Sequence, residues 1–117
     1  MGKYRFALGL YSVRKSLAED MAGTLKKVAA MGYEGVEFFG GFTHEAATVR
    51  KALTEAGLEL AGWHTQWAQV QPDKIFETLA YFKAIGNKNV IIPGLPAGML
   101  ATREACIDTA KKFNVIA

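Results

Sequence analysis

A single cysteine, Cys106, stands among 117 residues, so no internal disulfide can form and a reducing, cytoplasmic setting is the simplest expectation. Proline is scarce at three residues, and the 12 glycines follow no triplet period, which excludes a proline-rich linker and a collagen-like rod. No apolar run reaches 18 residues, so no membrane partner is expected. The opening Met1-Gly2-Lys3-Tyr4-Arg5-Phe6 has no hydrophobic segment ahead of a small-residue cleavage site, and export is not indicated. Charge of one sign is also lacking. Fourteen Lys+Arg against 11 Asp+Glu give +3, spread too thinly for a nucleic-acid surface. Neither G-x-G-x-x-G nor G-x-x-x-x-G-K-[ST] occurs, which lowers the expectation of nucleotide binding. What is present is a chain half apolar, long enough to bury the core of one domain spanning residues 1–117.

The main signal is a repeated junction. Ala30-Met31-Gly32, Glu55-Ala56-Gly57 and Ala84-Ile85-Gly86 each end a helical stretch in glycine, and a strand-like run follows within a few residues. Glycine closes the last helical turn in the left-handed backbone region without a Cβ clash. The strands predicted are Phe6 to Tyr11, Gly35 to Phe39, Glu59 to His64 and Asn89 to Ile92. Helical stripes are Met21/Leu25/Val28/Ala29, Val49/Leu53/Ala56 behind Thr43 as cap, Ile75/Leu79/Phe82 behind Pro72-Asp73, and Cys106/Thr109/Ala110/Phe113 behind Thr102. Helices alternating with short, mostly apolar strands imply an α/β fold with parallel strands and right-handed crossovers. Four such units make either a small open sheet or one half of an eight-unit barrel.

Side chains at the carboxyl ends of parallel strands face the mouth where barrel enzymes place their sites. Arg14, Glu37, His64 and Gln66 fall there. His64 suits metal ligation or a hydrogen bond to a hydroxyl, and equally a strand-end histidine held by a backbone carbonyl. Glu37 sits between Val36 and Phe38, where a carboxylate requires a partner, and Arg14 is the candidate. Trp63 and Trp67 flank the histidine; their faces suit a sugar ring, although packing explains such residues more often. Cys106 reads as a small core residue. No H-x-x-x-H or D-x-H spacing marks a self-contained metal site.

Leu8 to Arg14 (LGLYSVR), Gly23 to Glu37 (GTLKKVAAMGYEGVE) and Ala61 to His64 (AGWH), taken together and in this order, resemble the opening half of the sugar phosphate isomerase/epimerases, the xylose isomerase-like TIM-barrel family. The resemblance continues through Ile85 to Pro93 and the last helix. It implies a (β/α)8 barrel of about 250 residues, with this chain as its first (βα)4 half. It also implies metal-dependent isomerisation or epimerisation of a sugar or sugar phosphate. Residue by residue, Glu37 and His64 match family pocket positions and are expected as catalytic, with His64 also a weak metal ligand. Arg14, Trp63 and Gln66 are expected to bind substrate.

The divalent ion that the resemblance implies (Mn, Zn or Mg) is held in the family mainly by residues of the second half. The chain ends at Ala117, before a fifth strand, so alone it is expected to bind metal weakly or not at all and to be weakly active or inactive. The alternative is a non-catalytic half-barrel, truncated or engineered, that self-assembles. Its open inner face, with Leu8, Leu10, Phe38, Trp63, Val90 and Ile92 as candidates for the uncovered surface, predicts a homodimer closed into a pseudo-barrel. An apurinic endonuclease of the same superfamily would need further ligands and a basic stripe that the sequence lacks.

Overall fold

Glycine at helix ends sets the rhythm of the chain. Gly57 and Gly86 adopt φ of +70° and +75° just past their helices, and Gly32 does the same at +97°. In the computed structural model, which describes residues 4–117, a parallel strand follows each of these turns. The strands are β1 (Ala7–Gly9), β2 (Gly35–Phe39), β3 (Glu59–His64) and β4 (Val90–Ile91), adjacent in chain order. The helices are α1 (Arg14–Glu19), α2 (Met21–Ala30), α3 (Ala46–Ala56), α4 (Ile75–Ile85) and α5 (Arg103–Ile116). Among the described residues no helix is long and apolar enough to cross a membrane.

The outer strands are shorter than the apolar runs that encode them. Leu10 to Val13 leave β1 to form a 3-10 turn, which carries Tyr11 away from the sheet. Asn89 stays outside β4, and its side-chain amide donates to the Ala61 carbonyl at 2.8 Å. Of the threonine caps expected, one is met and one is not. Thr102 caps α5 by accepting from Ala105 N at 3.1 Å. Asp20 caps α2 by accepting from Gly23 N at 3.0 Å, a role the sequence reading missed. Thr43 does not cap α3, whose N-cap is Glu45 with no side-chain bond; its hydroxyl instead lies 3.1 Å from His44 Nδ1.

The core lies between the sheet and its helices, and the phase of the pleat decides what enters it. Leu10, Val36, Phe38 and Trp63 are buried there with Leu25, Val28, Leu53 and Phe82, and Leu8 packs against them. The expectation that Leu8, Leu10, Phe38 and Trp63 cover the inner face is therefore corrected. Successive strand residues point to opposite faces, so burying Phe38 under helices turns Glu37 and Phe39 inward. Val90 is exposed and Ile92 half-buried at the β4 edge.

The last two helical stripes are met only in part, at Phe82 in α4 and Thr109 in α5. In α4, Thr78 is buried and donates to Gln69 O at 2.7 Å, leaving Leu79 exposed. In α5, Thr109 is buried and donates to Met99 O at 2.7 Å, while Cys106 is exposed rather than a core residue. Threonine hydroxyls that find a carbonyl can enter a helix–loop contact as readily as aliphatic carbons do.

Candidate functional site

The centre of the inner face is built around Glu37. In the parallel register it lies between Gly9 on β1 and Gly62 on β3. Neither neighbour has a Cβ, so the carboxylate is flanked by bare backbone on both strands. A Cβ built on Gly9 would lie 4.0 Å from Glu37 Oε1, and one on Gly62 would meet Ile91 Cδ1 at 2.8 Å. Ile91 thus fills the space that a side chain at position 62 would take. One pleat further on, His64 shares this face, paired in register with Phe39 and Ile91.

His64 Nε2 lies 2.8 Å from Glu37 Oε1, within hydrogen-bond distance. An ionised carboxylate only accepts, so the proton of this contact sits on Nε2. The side chains are 37% (His64) and 29% (Glu37) exposed, so the pair is open to solvent and to a ligand. Tyr11 meets Phe39 edge to face, with ring centroids 5.2 Å apart, and walls the side towards β1. A carboxylate bonded to an imidazole at a strand end is the arrangement that moves protons in acid–base chemistry.

The five site residues expected from the sequence do not all converge. Glu37 and His64 meet directly. Arg14 is not the partner of Glu37: its guanidinium donates to Tyr11 O at 2.9 Å and lies 4.4 Å from the centre of the Tyr11 ring. The 3-10 turn after β1 carries Arg14 past the sheet, and His64, on the adjacent strand, takes its place. Trp63 is only 2% exposed and lies on the face opposite His64, as the pleat requires. Its indole stacks on Phe38 at 4.8 Å, and Nε1 donates to Gly40 O at 2.8 Å, pinning the chain as it leaves β2. Gln66 and Gln69 cap each other reciprocally at the 3-10 turn Trp67–Val70.

Arg14 and Trp63 share a different space, a pocket of about 280 Å³ on the helical side of the strand ends, lined also by Met21, His44 and Tyr81. Tyr81 was not foreseen in the sequence. Its ring stacks on Phe42 at 3.8 Å, and its hydroxyl donates to His44 O at 2.7 Å. Burial pushes its phenol above the usual value of 10.0. The signal for it was an aromatic on the α4 face opposite the loop aromatic Phe42.

A catalytic zinc ion takes three protein ligands, whereas magnesium is held by one or two carboxylates with water and substrate. Among the described residues no three His, Cys, Asp or Glu side chains come together, so Glu37 and His64 supply two donors and fall short of a zinc set.

No family model matches the sequence, and no curated protein matches it. Among solved structures, it is similar to a sugar phosphate isomerase/epimerase from Parabacteroides distasonis ATCC 8503, with a TM-score of 0.70 and 18% identity. The match covers 99% of this chain and 47% of that one. The fold is half of a TIM barrel.

This chain therefore spans about half the length of the similar structure. In a half-barrel of this kind the carboxyl ends of the strands form part of the mouth. His64, the last residue of β3, lies on that rim, and Glu37, midway along β2, stands one pleat below it.

Proposed function

We propose that this half-barrel carries an acid–base pair for isomerisation or epimerisation of a sugar or sugar phosphate. The observation that supports this reading most is the 2.8 Å approach of His64 Nε2 to Glu37 Oε1 on the inner face. The name of the similar structure gives the substrate class its direction.

Interconverting an aldose and a ketose moves a proton between neighbouring carbons through an enediol. Glu37 is the base: one carboxylate oxygen takes the proton from the carbon next to the carbonyl and later returns it to the adjacent carbon. Return to the opposite face of the same carbon would be epimerisation. His64 stands 2.8 Å from the carboxylate through Nε2 and positions it, while the proton exchanged between the enediolate oxygens passes through the solvent to which the pair is open. Gly9, beside which a Cβ would meet nothing nearer than the carboxylate itself at 4.0 Å, leaves room on the β1 side for a flat, polar carbon chain. The divalent ion (Mn, Zn or Mg) supplies polarisation of the carbonyl in such reactions. Two donors do not complete its shell, so this scheme rests on the pair alone.

The test is hydrogen exchange. Aldoses, ketoses and their phosphates are incubated with the chain in D2O, with Mn, Zn or Mg added in turn, and proton NMR follows the carbon adjacent to the carbonyl. Weak exchange above the buffer background with at least one substrate is expected, and Glu37→Gln abolishes it. Exchange that never exceeds the background, or that Glu37→Gln leaves intact, would overturn the reading.

A further inference from the structure

On the helical side of the sheet lies the cavity of about 280 Å³ that Arg14 and Trp63 share. Every residue lining it falls between positions 14 and 81, and neither β1 nor β4 contributes one. Phe38 and Trp63 form its floor, stacked with ring centroids 4.8 Å apart and planes 11° from parallel. Met21 of α2, Val49 of α3 and Tyr81 of α4 stand around them. The loop between β2 and α3 is pinned here at two points. Gly40 O accepts from Trp63 Nε1 at 2.8 Å, and His44 O accepts from the Tyr81 hydroxyl at 2.7 Å. The cavity is therefore preformed, as small-molecule sites usually are.

Its polar lining is one-sided in charge. Arg14, Thr43 and His44 border the cavity, and no Asp or Glu does. Arg5, Lys51, Lys74 and Lys111 each meet a carboxylate, whereas among the described residues Arg14 meets none. One of its N–H donors goes to Tyr11 O and the guanidinium lies over the Tyr11 ring, which leaves the other donors of the fork for a ligand. We propose that this cavity binds a small, flat monocarboxylate, with its apolar body over the Phe38–Trp63 floor and its carboxylate on Arg14.

Size, shape and charge select this class together. At roughly 30 Å³ per water-sized group, 280 Å³ holds about nine non-hydrogen atoms, the size of benzoate. An aromatic floor favours a ring that lies against it. A guanidinium fork matches a carboxylate with two parallel hydrogen bonds. A fully polar anion such as phosphate would meet Arg14 but leave the apolar walls uncovered. A neutral ring would cover the walls but leave Arg14 without its counter-charge. Glu37 and His64 do not border the cavity, so the site stands independently of their chemistry.

The test is a titration of the nitrogen-15-labelled chain with benzoate, benzamide and inorganic phosphate, followed by proton–nitrogen NMR. Benzamide keeps the shape of benzoate without its charge. The Trp63 indole and the Gly40 and Gly41 amides report on the cavity, and the Trp67 indole, which does not line it, is the control. Benzoate is expected to move the cavity signals and not the control, with a Kd on the order of 1 mM, in keeping with so small a ligand. Benzamide and phosphate should each bind at least about tenfold more weakly. Arg14→Gln should weaken benzoate by about the same factor and leave benzamide unchanged. Ala18→Phe, at a lining position, should weaken both. Positions 14 and 18 are exposed, so circular dichroism should stay native in both variants. A Trp63 signal that benzoate never moves would overturn the proposal. So would benzamide or phosphate binding as tightly as benzoate, or benzoate binding that survives Arg14→Gln or Ala18→Phe undiminished.

Discussion

Removing Glu37 and His64 singly and together measures whether the pair exists in solution and what it is worth. In the structure the contact is an N···O approach of 2.8 Å between side chains 29% and 37% exposed, taken as a hydrogen bond in solution. A hydrogen bond to a charged group contributes about 1.5–3 kcal/mol when shielded from water. Solvent at this exposure screens most of that, and exposed pairs measure about 0.2–1 kcal/mol. The expected coupling is therefore about 1 kcal/mol, near the top of the exposed range, because the flanking strands fix both backbones. Glu37→Ala, His64→Ala and the double variant would be unfolded in urea, and the coupling taken as the departure from additivity. The single variants should cost little beyond this term, since neither side chain fills the core. A coupling below about 0.3 kcal/mol would mean that the two groups do not hold each other, and the acid–base scheme would lose its basis.

Other positions give further checks. Gly35→Ala would place its Cβ 3.0 Å from the Glu59 carbonyl and 3.4 Å from Ala7 Cβ, contacts with fixed atoms. A loss of about 1–3 kcal/mol by urea denaturation is expected there, whereas Gly9→Ala, with nothing nearer than 4.0 Å, should be close to neutral. Asp20→Ala removes the side-chain acceptor for Gly23 N and should cost about 1 kcal/mol in thermal or urea unfolding. Tyr81, whose phenol burial raises above 10.0, folds best when protonated. Its contribution is complete below pH 10.0 and is lost as the pH rises through the higher folded value, so alkaline unfolding curves should flatten in Tyr81→Phe.

The two inner strands were legible to the residue. Gly35–Phe39 and Glu59–His64 are bounded by helix-ending glycines behind and by turn residues ahead, and both are buried enough to read as strands. The outer strands were read too long. Leu10 is fully buried and so looks like strand, but it is buried in a 3-10 turn, and apolar composition does not distinguish the two. The facing of the sheet was illegible for a related reason. Phe38 and Phe39 are both apolar, so nothing in β2 except the cost of burying Glu37 says which side faces the helices. The neighbours of Glu37 and His64 were visible as residues but not as partners, because a parallel register joins positions 27 apart in sequence through a β-bulge that shifts the pairing between Val36 and Glu37. In α5, Thr102 announced the start of the helix and Thr109 its buried side, yet Cys106, read as a core residue, is exposed.

Nitrogen-15 NMR of the histidine rings reads the proton on His64 directly, at a pH above the titration of the ring. With a carboxylate 2.8 Å from Nε2, the proton is expected there, and Glu37→Ala should return the ring to a mixture of tautomers. A wild-type ring protonated mainly on Nδ1, or one that does not respond to the loss of Glu37, would contradict the pairing on which the site is built.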